Sequence, residues 1–388
     1  MRLVSDLWLS RKSVAGFVIV GAAWSSYFAQ MPVIKAAIGA SDGVYGAVML
    51  LASLGALAAM WLAPLAHRIA GRWALPLGAM IMSGGMLGAG MSAEIVAFGI
   101  AMTCASVGAG ITDVLANVRV SEIEETSGRH LMNLNHAMFS FTYAGCALAT
   151  GIMRELGWSP AQVFTVLIGL TALAGWVMLE RRAPPMPTDE TPDDAPLPHL
   201  LVWGVGAIVM VAFLTEAASE GWSALHLERT LGGGPAEGAL GPALLGLSMG
   251  IGRLSGHFLS DRVPTLPFIT VASVVAAAGL ILVGGAPTLF MAYVGFALTG
   301  LGISVVAPLA LALIGRLVPP KARLAAISRA SALGYAAFFV SPPLMGFTSE
   351  ALGLRAGFWV VAALLLICIA ALVPVLAARI AARAQQAY

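Results

Sequence analysis

The chain has 388 residues and a formal net charge of +2, and 59% of its residues are hydrophobic while 10% are charged. Together with a mean hydropathy of +0.89, this composition excludes a soluble domain and indicates a polytopic membrane protein. The small net charge argues against a nucleic-acid partner, because the basic residues lie at the ends of apolar segments and form no single patch.

Apolar runs long enough to cross about 30 Å of hydrocarbon recur twelve times, which predicts an all-α membrane protein with twelve transmembrane helices. Spans 1 to 6 are predicted at roughly residues 13 to 38, 44 to 66, 73 to 92, 95 to 121, 131 to 153 and 161 to 179. Spans 7 to 12 are predicted at roughly residues 200 to 227, 237 to 259, 266 to 285, 288 to 315, 324 to 348 and 356 to 379.

The two sets of six spans are predicted to form two pseudo-symmetric halves, residues 1–180 and 200–388. Residues 181–199 between them are rich in proline and acid, so we expect a solvated cytoplasmic linker. Most of the Lys and Arg residues lie at the termini or in the even-numbered loops, which by the positive-inside rule places both termini and the linker in the cytoplasm. The predicted location is the cytoplasmic (inner) membrane.

One motif in span 4 occurs twice in the chain. The segment 107–117 carries two glycines followed by Asp113 and Asn117, and 299–309 repeats its glycine pattern with Val305 and Leu309 at the two polar positions. On a helix, residues four apart share a face, so Asp113 and Asn117 are predicted to lie together. A duplicated scaffold with a polar pair in one copy only indicates chemistry in that half.

Asp113 is expected near mid-membrane, about ten residues and so roughly 15 Å from the cytoplasmic end of span 4. An ionised carboxylate at that depth costs about 2.5 to 3.5 kcal/mol on insertion scales. We therefore interpret Asp113 as an acid that binds protons or substrate, with Asn117 beside it. The alternative is a structural hydrogen bond to a neighbouring helix for Asp113 and helix-to-helix packing for Asn117.

Further polar residues in spans 5 and 7 are candidates for the same pathway. Glu216 and Glu220 are again four residues apart and lie toward the external end of span 7. The alternative is that they have no functional role, because a helix end that meets water can carry acids for solvation alone. His136, with Ser140 one turn later, could relay protons because the imidazole titrates near neutral pH. A histidine at the start of a span is just as often interfacial.

Aromatic and amide side chains could line a cavity for a sugar or an amphipathic ligand. Trp24, Tyr27 and Gln30 form a stripe on span 1, and Tyr335 with Phe338 does so on span 11. Such residues also occur in ordinary packing and at membrane interfaces.

Several kinds of site are not indicated. The three cysteines have neither CxxC nor histidine spacing, so we expect no disulfide framework and no metal site. There is no phosphate-binding GxxxxGK[ST] loop and no HExxH, so we expect neither an ATP-driven pump nor an enzyme, and no cofactor.

The sequence resembles the major facilitator superfamily over nearly its whole length. The loop after span 2 reads Ala63-Pro64-Leu65-Ala66-His67-Arg68-Ile69-Ala70-Gly71-Arg72, close to the family's G-x-L-a-D-R-x-G-R-R, and the second copy ends in Ser260-Asp261-Arg262. The resemblance implies a gating role for Arg68, Asp261 and Arg262. His67 replaces the aspartate of the first copy, so the resemblance implies a weaker or pH-dependent contact there.

A narrower resemblance is to the fucose-permease-like branch of bacterial transporters. It is carried by the segments 112–114, 136–140, 216–225 and 334–346. Such sequences usually carry Asp before the tryptophan of span 7, whereas here Gly221 precedes Trp222 and the acid is Glu220.

The resemblance and the polar residues together predict a secondary transporter that works by alternating access and moves a small polar solute into the cell by proton symport. Proton-driven export of an amphipathic compound or metabolite is the alternative, and a receptor without transport is a third possibility. The expected partners are a small-molecule substrate, protons and the lipid bilayer, and the expected state is a monomer.

Overall fold

A computed structural model describes residues 2–180, 198–259 and 263–386 of the chain. Nearly all of these residues are helical, and the described part contains no strand. A short helix, Arg2–Leu9, precedes the first span. Twelve spans follow: Arg11–Ala37, Asp42–Ala70, Ala74–Met91, Ile95–Ser127, Met132–Glu155, Pro160–Met178, His199–Leu225, Pro235–Leu259, Thr265–Gly285, Leu289–Ile303 with Val306–Leu317, Pro320–Tyr335 with Ala337–Leu352, and Leu354–Gln386.

The predicted all-α fold with twelve spans is confirmed. Nine helical stretches of the described chain are long and apolar enough to cross a membrane, and one of them, Asp42–Met91, contains both span 2 and span 3. Spans 5 and 8 are less apolar, but they have 24 and 25 residues and pack against each other. We call the side that carries the first and last described residues the terminal face, and the other side, with the loop between spans 1 and 2, the opposite face.

Local sequence signals set several helix ends on the opposite face. The Ser41 hydroxyl accepts a hydrogen bond from the Val44 backbone N–H at the start of span 2, which satisfies a donor that the helix leaves free. Ser159 and Gln162 form a capping box around Pro160 at the start of span 6. Because these caps fix where spans 2 and 6 begin, the loops that lead into them from spans 1 and 5 are short.

Spans 10 and 11 are interrupted, and both contain proline inside the apolar run, at Pro308 and at 342–343. Span 10 breaks at residues 304–305, because Pro308 has no N–H to donate to the Ser304 carbonyl one turn earlier. In span 11 the break is at Ala336, six residues before Pro342. Pro342 instead leaves the Phe338 carbonyl without its helical donor, and the Ser53 hydroxyl of span 2 donates to it at 2.9 Å.

The duplicated glycine motif has a different register from the one that the sequence comparison assumed. A methyl group on Gly108 would lie 2.3 Å from the Met82 nitrogen of span 3, and one on Gly302 would lie 2.6 Å from the Ala276 nitrogen of span 9. Gly302 is therefore the structural counterpart of Gly108, and not Gly300. The counterparts of Asp113 and Asn117 become Ala307 and Leu311, so the polar pair still occurs in one copy only.

Contacts between the first six and the last six spans run mainly through two helix pairs, span 2 with span 11 and span 5 with span 8. Glycines bring both pairs close together. A methyl group on Gly46 would lie 2.4 Å from the Pro342 carbonyl oxygen, and one on Gly151 would lie 2.4 Å from Ala239 Cβ. The residue bounds of the halves and of the linker stay a prediction.

The close contact at Gly108 leads to a stability prediction. Gly108→Ala is expected to destabilise the protein by about 1 to 3 kcal/mol, because backbone atoms of span 3 would have to move. Thermal unfolding of the detergent-purified variant would measure the loss. Gly145→Ala is the matched control, since a methyl group there meets nothing within 4 Å, and equal melting temperatures for the two variants would contradict the packing argument.

Candidate functional site

Asp113 lies on the side of span 4 that is left partly accessible. Its neighbours Gly108 and Gly110 face spans 3 and 2, and Thr112 and Leu115 are buried in the first half. The Asn117 side-chain amide donates to the Asp113 backbone carbonyl at 2.9 Å. Among the described residues, no Lys, Arg or His forms an ion pair with the Asp113 carboxylate.

Tyr335 approaches Asp113 from the other half. It is the last residue before the break in span 11, and its hydroxyl is within electrostatic range of the Asp113 carboxylate. The Tyr335 ring stacks on Phe213 and Phe338, with centroids 5.7 and 6.2 Å apart. Asp113 therefore faces the boundary between the halves, with an aromatic wall from spans 7 and 11 across from it.

A second polar cluster is built around Arg253 of span 8, which the sequence analysis did not identify. One guanidinium nitrogen lies 3.2 Å from Glu216 Oε1 of span 7, and another donates to the Ser140 hydroxyl of span 5 at 2.8 Å. Arg253 thus joins a residue of each half. A signal was present in the sequence, since an arginine inside an apolar span, six residues before its end, is rare without a partner or a function.

Glu220, Tyr143 and His136 surround this cluster. The Glu220 carboxylate lies beside the Tyr143 hydroxyl and within electrostatic range of Glu216. The His136 ring packs on Phe17 with centroids 4.8 Å apart and is within electrostatic range of Arg253. Both glutamates lie in the C-terminal half of span 7, toward the opposite face, and they also lie against spans 5 and 8.

The cluster has two carboxylates and one guanidinium, so its charges do not balance unless a further positive charge binds. The Arg253 and Glu216 side chains are 24% and 18% exposed, so the packed helices do not enclose them completely. Among the described residues, no cluster of His, Cys, Asp or Glu could hold a metal ion. What the arrangement can bind is a proton, or a polar solute that exchanges hydrogen bonds with these groups.

The stripe on span 1 lies in a different setting from the one predicted. Tyr27 and Gln30 are fully buried, the Tyr27 and Tyr45 hydroxyls lie 2.6 Å apart, and Tyr45 packs edge-on against Trp222 of span 7. These residues belong to a packed layer that joins the halves, and they do not line an open surface in this state. Trp24 is partly exposed and stacks on Phe28 at 5.5 Å.

The gating residues implied by the family resemblance are only partly described. Arg68 is exposed at the terminal face, and Asp261 and Arg262 lie outside the described residues. Arg119 of span 4 pairs with Glu122 at 2.8 Å and with Glu180 at 3.1 Å. It therefore belongs to a salt-bridge group at the terminal face.

Comparisons with known proteins agree with this architecture. An uncharacterized MFS-type transporter of Yersinia pestis is 27% identical over 365 residues, which cover 90% of this chain and 91% of that protein. Among solved structures, a bacterial homolog of the human lysosomal transporter Spinster, in an inward-facing and occupied conformation, has a TM-score of 0.74 at 16% identity, covering 96% of each chain. A D-xylose-proton symporter has a TM-score of 0.72 at 16% identity, covering 94% of this chain and 96% of that one.

The family model described as Major Facilitator Superfamily matches residues 13–296 and 201–386 of the chain. These matches span both halves and every helix described above except the one before span 1. The chain is a multi-pass membrane protein of a family of secondary transporters, and it is not an enzyme. It belongs to the major facilitator superfamily.

Proposed function

We propose that the protein couples the movement of a small polar solute to a proton that binds Asp113. The observation that carries this proposal is that Asp113 has no ion-pair partner among the described residues, is partly accessible on span 4, and is within electrostatic range of Tyr335 of the other half. A charged carboxylate in the bilayer costs about 2.5 to 3.5 kcal/mol. A proton removes that cost, so its binding can bias which way the halves tilt.

The Arg253 cluster is proposed as the solute-binding part of the pathway. Arg253 contacts Ser140 of the first half and Glu216 of the second, so a solute that competes for these hydrogen bonds would act on both halves. Alternating access by rocking of two repeats about a central site is the general mechanism for such folds. Import by proton symport is our first choice, and the structural relative that is a D-xylose-proton symporter supports this use of the fold.

Proton-driven export of an amphipathic compound is the second candidate. The observation in its favour is the stacked aromatic wall of Phe213, Tyr335 and Phe338 across from Asp113. Such a wall suits an apolar body that carries one polar group. The two candidates differ in the direction of the pH gradient that accumulates substrate in vesicles.

The finer assignments belong to the same proposal. We place the terminal face in the cytoplasm of a bacterium, because the basic loops lie on that side, and the protein in the inner membrane as a monomer. We also propose residues 1–180 and 200–388 as the two moving halves with 181–199 as linker. Membership of the fucose-permease-like branch is proposed from the segments around Asp113, His136 and Trp222.

A flux experiment tests the proton site. A thermal-shift screen of the purified protein against sugars, amino acids, organic acids and siderophore-like compounds would first identify a compound that binds. In proteoliposomes, Asp113→Asn is expected to abolish accumulation driven by a pH gradient while leaving substrate exchange intact, because the amide cannot carry the proton. Accumulation is measured with labelled substrate.

The matched control is Glu94→Gln, which makes the same chemical change at an exposed residue preceding the same span. It is expected to accumulate substrate like the unmodified protein. Undiminished gradient-driven accumulation by the Asp113 variant would refute the coupling role.

A further inference from the structure

Two adjacent residues of opposite charge, Glu228 and Arg229, end span 7 on the opposite face. They lie in a π-helical turn, His226–Thr230, and π-helical turns occur frequently at functional sites. Each of the two side chains reaches a different span of the first half. The charges are complementary, with an arginine facing Glu228 and a carboxylate facing Arg229.

The first contact joins Glu228 to Arg154 at the end of span 5. Arg154 holds both carboxylate oxygens, at 2.7 and 3.0 Å, in the bidentate geometry that makes such pairs strong. Arg154 also donates to the Ala29 carbonyl of span 1 at 2.6 Å. This second hydrogen bond holds the Arg154 side chain in position within the first half. The two side chains are only 8% and 17% exposed.

The second contact joins Arg229 to Asp42 at the start of span 2, with nitrogen-to-oxygen distances of 2.9 and 2.5 Å. Asp42 has further partners: Lys35 of span 1 lies 2.8 Å from the carboxylate, and the Ser349 hydroxyl of span 11 lies 2.5 Å from it. Arg229 is 43% exposed. Asp42 therefore keeps a cation of its own half when Arg229 moves away.

Both described ion pairs between the halves lie on this face. The Glu350 carboxylate of span 11 adds to them by accepting hydrogen bonds from the Ser41 hydroxyl at 2.7 Å and the Gly43 backbone N–H at 2.6 Å. In a transporter that alternates between two openings, contacts that join the halves on one side must break before that side can open.

We propose that Arg154–Glu228 and Asp42–Arg229 form a latch that closes the opposite face, and that Arg154–Glu228 is its stronger arm. Removing Arg154 leaves the largely buried Glu228 charge without a cation, which is costly. Removing Arg229 leaves Asp42 paired with Lys35 and exposes little uncompensated charge. The latch acts on the equilibrium between the two openings, and it does not depend on which solute or ion is carried.

The test measures the width of the opposite face and needs no substrate. Spin labels would be placed on cysteines at Leu156, in the loop after span 5, and at Leu352, the last residue of span 11. Both side chains are exposed, and they belong to different halves. Cys104, Cys146 and Cys368 would first be replaced by serine. Double electron–electron resonance then gives the distance distribution in lipid nanodiscs. Arg154→Gln is expected to raise the ratio of the wide to the narrow population at least tenfold.

Two further variants complete the design. Arg229→Gln is the matched control, with the same change at the exposed arm, and is expected to shift the ratio by less than Arg154→Gln. The exchanged pair Arg154→Glu with Glu228→Arg is expected to restore the narrow population, which a general folding defect would not allow.

An unchanged distance distribution for Arg154→Gln, or no recovery in the exchanged pair, would overturn the latch. Equal shifts for Arg154→Gln and Arg229→Gln would overturn the assignment of the stronger arm. Because no flux is measured, these results are independent of the Asp113 experiment, and either proposal can fail while the other stands.

Discussion

Replacing Arg253 with glutamine is expected to abolish both accumulation and exchange of substrate. Among the residues that the structure describes, the guanidinium is the one cation that pairs with Glu216, and it also donates to Ser140 across the boundary between the halves. Its loss leaves two carboxylates one helical turn apart without a counter-ion. Removing one partner of a buried ion pair costs about 3 to 5 kcal/mol, and partial exposure brings the expected loss to the low end of that range.

The Arg253 experiment needs a control for folding, because the same charge imbalance could destabilise the protein. The double variant Arg253→Gln with Glu216→Gln removes the ion pair as a unit, so it should regain the melting temperature of the unmodified protein while transport stays lost. Arg253→Lys keeps the positive charge but loses the planar set of N–H donors of the guanidinium. An intermediate rate of substrate transport is therefore expected. Normal transport by Arg253→Gln would exclude this cluster from the pathway.

Gly46→Ala is expected to force the halves apart on the opposite face. The added methyl group would lie 2.4 Å from the Pro342 carbonyl oxygen and 3.1 Å from Pro343 Cα, and backbone atoms cannot rotate away as a side chain does. Separation of spans 2 and 11 would relieve this overlap. The conformation that is open on the opposite face would therefore be favoured by about 1 to 3 kcal/mol. That corresponds to a shift of roughly 5- to 150-fold in the equilibrium.

The distance between labels at positions 156 and 352 would report this shift, and the exchange rate of substrate would fall because one opening is disfavoured. Gly169→Ala serves as the control, since a methyl group there meets nothing within 4 Å. A Gly46→Ala protein with unchanged label distances and unchanged exchange would mean that the close approach of spans 2 and 11 has no part in gating.

The sequence by itself determined the class, the number of spans and the presence of a duplication. This was possible because the bilayer requires long apolar helices whose signal is local in the chain. It also singled out Asp113 and Asn117, since an acid and an amide in an apolar run need no structure to be noticed. The proline in span 10 is a signal of the same local kind, because its missing N–H affects the helix within one turn.

The tertiary structure decided which residues from different spans meet. Arg253, Arg154 and Arg229 are distant in sequence from Ser140, Glu228 and Asp42, and a hydrophobic pattern carries no information on such pairs. The register of the duplicated motif was likewise settled only by the contacts of Gly108 and Gly302 with their neighbouring spans. Helix packing places these side chains together, and the distances between them arise only when all twelve spans are assembled.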